Sequence, residues 1–194
     1  MLPSDPIFKP EVKTLETNRL SIRIDTEQDY VRMFRTCDDD TLKQYFGITT
    51  EAELEKQKGK VRGGLTTYRT SVMFFHLIER SMNKVVGQLA FHNWFPMHRR
   101  SEIGYSIVSD EYKNKGYMRE AIAPIIDFGF EAMELNRIEA FIDPGNMPSR
   151  KLVTRIGFQP EGLLCERYCY DGVVSDALVY RLLRQEYAGA AKQE

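Results

Sequence analysis

The sequence predicts an α+β fold, a single domain whose central mixed, mostly antiparallel, twisted sheet is flanked by helices. Three observations carry this. Residues 71–79 and 85–91 are rich in β-branched and aromatic side chains and are separated by a short polar turn, which reads as a hairpin. A run with helical spacing from about 116 to 135 leads into an alternating segment at 137–142, the order expected of a crossover to a parallel strand. Residues 162–170 and 173–183 flank Asp171-Gly172, a tight-turn dipeptide, and read as a closing hairpin. Antiparallel and parallel connections in one short chain point to α+β.

Taken in order, residues 1–16 hold three of the eight prolines and little apolar periodicity, so they read as a peripheral arm before a domain at 17–185. Residues 19–24 alternate, with Leu20, Ile22 and Ile24 on one face, as a first strand does. Thr26 can cap a helix whose first turn carries Glu27 and Asp29, with Tyr30, Met33 and Phe34 as its apolar side. Helices are expected at 41–46 and at about 50–70. The polar surface of the second and its Gly63-Gly64 pair suggest a mobile helix pair lying over other structure.

The hairpin follows, its second strand ending at Phe91 with His92 just beyond. Arg99 and Arg100 then turn the chain into a strand at 102–107. Met118, Ile122, Ile125, Ile126, Gly129 and Met133 form one side of the next helix, with a kink expected at Pro124. Pro148 suits a helix start, so residues 149–156 read as a short helix stopped by Gly157. Residues 186–194 are a tail. There are no internal repeats and no linker that would divide the domain.

Composition narrows the function classes. Lys plus Arg (27) nearly cancels Asp plus Glu (28), so no global field favours nucleic acid or an anionic membrane, and any anion site must be local. Cys37, Cys165 and Cys169 cannot all pair within one chain and fit no metal spacing, so they read as reduced thiols of a cytoplasmic protein. No apolar run approaches the ~20 residues of a membrane span, and the N-terminus lacks a signal-peptide pattern.

The local anion site is expected after the strand at 102–107. A loop with Gly116 opens a long helix, whose first-turn N–H groups and dipole attract negative charge. Gly116 removes a side chain where an anion would approach the backbone, and Lys113, Lys115 and Arg119 add positive charge. On its own residues the stretch also fits an ordinary solvated helix start.

Two motifs in this order resemble the GCN5-related N-acetyltransferase (GNAT) family over about residues 17–185. The family's cofactor loop, Arg/Gln-x-x-Gly-x-Gly/Ala, corresponds to Lys113-Asn114-Lys115-Gly116-Tyr117-Met118, with Lys for Arg/Gln and Met for the last small residue. The second motif, Asn146-Met-Pro-Ser149-Arg-Lys-Leu152-Val-Thr-Arg155-Ile-Gly157-Phe158, is similar to the RimJ/RimL branch, which acetylates the N-termini of ribosomal proteins.

The resemblance implies acetyl-CoA as cosubstrate and no metal. Backbone amides of Asn114, Lys115, Gly116, Tyr117 and Met118 would cradle the pyrophosphate. Lys113, Lys115, Arg119, Arg150 and Lys151 would screen its charge. The pantetheine arm would pair with Ile107, Val108 and Ser109, where a bulge would free an N–H for the thioester oxygen.

Direct transfer needs a neutral amine, and an α-amine (pKa about 7.7–8.0) loses its proton more easily than lysine (about 10.4). Glu102 is the candidate base, directly or through water, or else a surface carboxylate beside Arg100. Ser149 would protonate the leaving thiolate or cap a helix, and Asn146 would fix the cofactor or serve as a turn residue. Tyr168, Tyr170 and Tyr180 line an acceptor groove or pack between strands. His76 and His92 are expected at strand edges, and Trp94 over the acceptor site.

The implied acceptor is a protein N-terminal α-amine. The alternatives are a small amine (polyamine, amino sugar or amino acid) or a non-catalytic acyl-CoA-binding module. Homodimerisation is left open.

Overall fold

A computed structural model describes residues 13–65 and 71–190. Residues 1–12, most of the expected arm, lie outside the described residues, but strand pairing begins before the arm's expected end: β1 (Thr14–Glu16) lies antiparallel to β2 (Leu20–Thr26). The chain continues through α1 (Glu27–Thr36), α2 (Asp39–Phe46), α3 (Glu51–Gly63), β3 (Ser71–Glu79), β4 (Lys84–Phe95) and β5 (Arg100–Ile107). It closes with α4 (Tyr117–Glu131), β6 (Arg137–Ile142), α5 (Met147–Ile156), β7 (Gln159–Tyr170), β8 (Val173–Leu183) and α6 (Arg184–Ala190). One eight-stranded sheet results, in the order β1-β2-β3-β4-β5-β6-β8-β7, antiparallel except for the β5–β6 pair.

The strand alternation sorts side chains onto two layers. Ile22, Ile24, Met73, Phe75, Leu89, Phe91 and Ile103 face α4, whose Ile122, Ile125, Ile126 and Phe128 complete the main core. A Cβ on Gly129 would stand 2.7 Å from the Phe91 ring, so this glycine sets how closely α4 rides on β4. Phe74 lies on the opposite face, under α1–α3, with Tyr30, Leu42, Phe46, Ile48 and Leu54. Leu54 and Leu42 are fully buried there, so α2 and α3 lie over this face of the sheet, as expected, through their few apolar residues.

Several boundaries differ from expectation for local reasons. Asn93, in the left-handed region (φ 46°), forms an irregularity that lets β4 run on to Phe95, so His92 lies inside the strand. Helix α3 stops at Gly63 with Gly64 as cap, and residues 66–70 of the expected helix lie outside the described residues. Helix α4 continues through Pro124 as one element but ends at Glu131, and Glu134 is left-handed (φ 52°). Helix α5 begins two residues early because Asn146, not Ser149, is its N-cap.

The feature that positions everything below is a fork. Strands β5 and β6 pair only at Arg100–Arg137, Ser101–Ile138 and Glu102–Glu139. Beyond that, β5 stays with β4 as far as Ile107 and β6 stays with β8 as far as Ile142, and the two part.

Candidate active site

The fork leaves one edge of β5 without a strand partner. Val108 N–H donates to Val86 O on the β4 side (3.2 Å), so by alternation Tyr105 and Ile107 turn their backbone groups toward the gap. The β4–β5 register is continuous from His92–Glu102 to Gly87–Ile107, so the bulge expected around Ile107, Val108 and Ser109 is not there. The free edge comes instead from the departure of β6. Ser109 caps a short 3₁₀ turn at 110–112, accepting from Glu111 N–H at 3.4 Å.

The loop that follows leaves the start of α4 without a side-chain cap. Asn114 (φ 59°) and Gly116 (φ 79°) are left-handed, and Gly116 occupies the N-cap of α4 with no side-chain cap. Helical bonding starts with Glu120 N–H to Gly116 O. Among the described residues no acceptor is found for the backbone N–H groups of Asn114, Lys115, Gly116, Tyr117, Met118 and Arg119. The Tyr117 and Met118 side chains are buried in the main core, so these two residues offer only backbone. Lys113 is paired with Asp110 (2.6 Å), Lys115 lies 5.8 Å over the Tyr112 ring, and Arg119 is exposed.

Arg19 holds this loop in place, and sequence reading assigned it no role. Its guanidinium donates to Lys115 O (3.0 Å) and Glu120 Oε2 (2.7 Å) and stacks on Tyr117 (4.7 Å). Thr17 Oγ1 and Arg19 N–H donate to Glu120 Oε1 at 2.6 and 2.8 Å. Burial alone would raise the Glu120 pKa, but these hydrogen bonds outweigh it and hold the carboxyl below its usual value.

On the other arm of the fork, Asn146 Oδ1 accepts from Ser149 N–H (3.1 Å), which frees the Ser149 hydroxyl from capping. That hydroxyl shares a 2.6 Å hydrogen bond with Tyr105 OH, in which either can donate. Burial raises the Tyr105 pKa, so the phenol keeps its proton at neutral pH. Arg150 is occupied within its own arm, donating to Pro144 O (3.0 Å) and reaching Tyr180 OH at 3.5 Å. With Lys151, Thr154, Arg155 and Met147, it lines a cavity of about 440 Å³ beside Tyr180.

Glu102 lies on the opposite face of β5 from Tyr105, at the last pair before the fork. It is only 9% exposed, so it is not the surface carboxylate considered above, and Arg100 pairs with Glu139 instead (3.1 Å). Asn93 Nδ2 donates to Glu102 Oε2 at 3.0 Å, and His92 Nε2 lies 3.6 Å from Oε1. A Cβ on Gly104 would come within 2.9 Å of His92 Nε2, so that glycine makes room for the imidazole. No Lys or Arg pairs with Glu102 among the described residues.

Other expected positions fall elsewhere. Trp94 is buried in the main core rather than over an open site, and Tyr180 takes the packing role that was one of its two readings. His76 is buried within β3 rather than at an edge, with Nδ1 2.9 Å from Asp25 Oδ2 but off the line of a hydrogen bond. Asp25 accepts instead from Tyr45 OH (2.8 Å) and Arg23 Nε (3.0 Å).

The profile of the acetyltransferase (GNAT) domain matches residues 19–159. The chain belongs to the GNAT family. It is 32% identical over 171 residues to the uncharacterized N-acetyltransferase YoaA of Bacillus subtilis, covering 88% of this chain and 96% of that protein. The [ribosomal protein uS5]-alanine N-acetyltransferase of Escherichia coli is 25% identical over 184 residues (92% and 94% of the two chains). Escherichia coli spermidine N(1)-acetyltransferase is 27% identical over 96 residues, about half of each chain (50% and 51%). A solved GNAT acetyltransferase from Bacillus anthracis superposes with a TM-score of 0.63 at 29% identity, over 89% of this chain and 99% of that one.

Within the GNAT frame the fork and the loop acquire chemistry. GNAT acetyltransferases use acetyl-CoA and an amine, and this chain is an N-acetyltransferase. The uncapped N–H groups of 114–119 fit a pyrophosphate, and the free edge of β5 fits an extended amide chain. Glu102 stands on one face of β5 at the closed end of the gap, and the Tyr105–Ser149 pair spans the two arms on the other face.

Proposed function

We propose that this enzyme transfers acetyl from acetyl-CoA directly to the α-amine of a protein N-terminus. The observation that carries this is Glu102: one buried carboxylate at the fork, held by Asn93, beside His92 and without a Lys or Arg partner among the described residues. The neighbouring Glu139 is neutralised by Arg100 and Arg137, so the face offers one site for one amine rather than an acidic pocket for a polycation. The similarity to the uS5-alanine enzyme, which spans both chains almost entirely, supports the same acceptor class.

Glu102, directly or through water, takes the proton that the attacking amine must lose. The backbone N–H groups that β5 turns to the gap donate to the thioester oxygen as it gains negative charge. Ser149 then delivers its proton to the departing sulfur as Tyr105 passes its own to Ser149 Oγ across their 2.6 Å hydrogen bond, and solvent restores the Tyr105 proton. Asn146 keeps Ser149 in place through the cap. Backbone N–H groups from Asn114 to Met118 hold the pyrophosphate, with Lys115 and Arg119 supplying charge nearby. A cytoplasmic location, where unpaired Cys37, Cys165 and Cys169 would stay reduced, is part of this proposal.

The test is thiol release from acetyl-CoA against a panel of peptides and small amines, with mass spectrometry locating the acetyl group. Release with peptides, mapped to the α-amine, is expected. Release with polyamines or amino sugars alone would replace the peptide reading. Tight acetyl-CoA binding without release on any amine would favour a non-catalytic module.

A further inference from the structure

Strand β7 carries three residues, Cys165, Glu166 and Arg167, where β8 carries only Asp176. The register jumps from Leu164–Ala177 to Tyr168–Ser175. Glu166 is left-handed (φ 50°), and its N–H donates to Asp176 Oδ1 at 2.8 Å, which fixes the bulge. Bulges re-aim side chains, and this one lays the Arg167 guanidinium over Phe141, 5.2 Å from the ring centroid.

Phe141 is on β6, on the same face as Glu139 and Glu102 and beyond the last β5–β6 pair. Arg167 therefore stands over the wall of the fork that faces Glu102's side of the sheet. The other arginines of this face are spoken for: Arg100 by Glu139, Arg137 by Glu139 and Glu161, and Arg181 by Glu161 and Glu186. Arg167 is exposed and has no carboxylate partner among the described residues.

We infer that Arg167 is a specificity determinant that selects acceptors carrying a carboxylate some distance from the reacting amine. A guanidinium stacked on an aromatic ring keeps its N–H fork turned outward, suited to bidentate recognition of a carboxylate. Phe141 lies two strand residues, about 7 Å, beyond Glu139, the neighbour of Glu102. That span exceeds the separation of amine and carboxylate in a free α-amino acid and matches two or three residues of an extended peptide. The acceptor is thus a peptide N-terminus with an acidic side chain within its first three residues, and polyamines are disfavoured. This rests on the peptide acceptor proposed above.

The test uses the full chain at low salt and peptides identical except for Asp, Asn or Lys at the second or third position. The wild type should favour Asp over Lys in kcat/KM by about five- to ten-fold at one of these positions. Arg167→Gln should bring the ratio within about two-fold, and Arg167→Glu should invert it, while activity on the Asn peptide shows that both variants are folded. A wild type indifferent to peptide charge, or a Gln variant that keeps the preference, overturns the assignment. Failure of every peptide overturns the acceptor reading instead. The same comparison on small amines bearing a carboxylate, an amide or a second amine then decides the charge rule by itself.

Discussion

The Tyr105 hydroxyl lies 2.6 Å from Ser149 Oγ, joining β5 to the first turn of α5 across the two arms of the fork. Because Asn146 caps the helix, the Ser149 hydroxyl is left free for this contact. Tyr105→Phe should lower kcat about ten-fold with the acetyl-CoA KM nearly unchanged, the scale of one lost orienting hydrogen bond. Ser149→Ala should cost more in kcat, on the order of a hundred-fold, with acetyl-CoA binding retained. Steady-state kinetics alongside calorimetric binding separate the two parameters. Normal turnover in the Ser149 variant removes it from the proton path.

Gly116→Glu should abolish acetyl-CoA binding. A side chain at φ +79° is strained, and this one would bring bulk and negative charge to the uncapped end of α4. Calorimetry on the folded variant decides it, since unchanged affinity would mean that phosphates bind elsewhere.

Glu102→Gln should lower kcat/KM at neutral pH by about a hundred-fold or more, with acetyl-CoA affinity intact. The amide keeps the shape of the carboxylate but cannot take a proton. The deficit should shrink as pH rises past about 8, where an α-amine reaches the enzyme already neutral. A deficit constant from pH 6 to 9 would argue for a structural role.

Acid stability should follow Asp25. Burial by itself would raise its pKa, but His76, Arg23 and Tyr45 outweigh this and hold it at about 2. A carboxyl with a depressed folded pKa contributes stability above its unfolded value, near 3.9, and loses it as pH falls toward 2. The contribution is about 2 kcal/mol. Burial also pushes His76 below its ordinary value, so the unfolded chain binds its proton first and stability declines on acidification below about pH 6.5 as well. Asp25→Asn should reduce Tm at pH 7, and its gap from the wild type should close between about pH 4 and 2. A gap that stays constant would show that ionised Asp25 is not what the variant lost.

Elements with strong local signals were legible from residues alone: β3 begins and ends where its run of apolar and aromatic residues does, β6 where its alternation does, and Asp171-Gly172 closes the last hairpin. Thr26 caps α1 as its position before Glu27 and Asp29 suggests. What could not be read depends on partners distant in the chain. Asn146 and Ser149 both suit an N-cap, and only the first turn of α5 shows which one takes it. Tyr105 meets Ser149 across 44 positions, and Arg19 meets Glu120 across 101, so no window of spacing contains either pair. The bulge expected in β5 is absent from its register with β4, and its free edge arises instead because a neighbouring strand leaves.

The parting of β5 and β6 also has a mechanical side. The sheet is in effect two plates, one of five strands and one of three, riveted along a line three residue pairs long. Across this line Arg100 grips Glu139, and the chain of opposite charges continues through Arg137, Glu161 and Arg181 into the smaller plate. Apolar packing against α4 resists bending in any buffer, but these partly exposed ion pairs weaken as salt screens them. The angle between the plates, and with it the width of the slot, is therefore softer at high ionic strength.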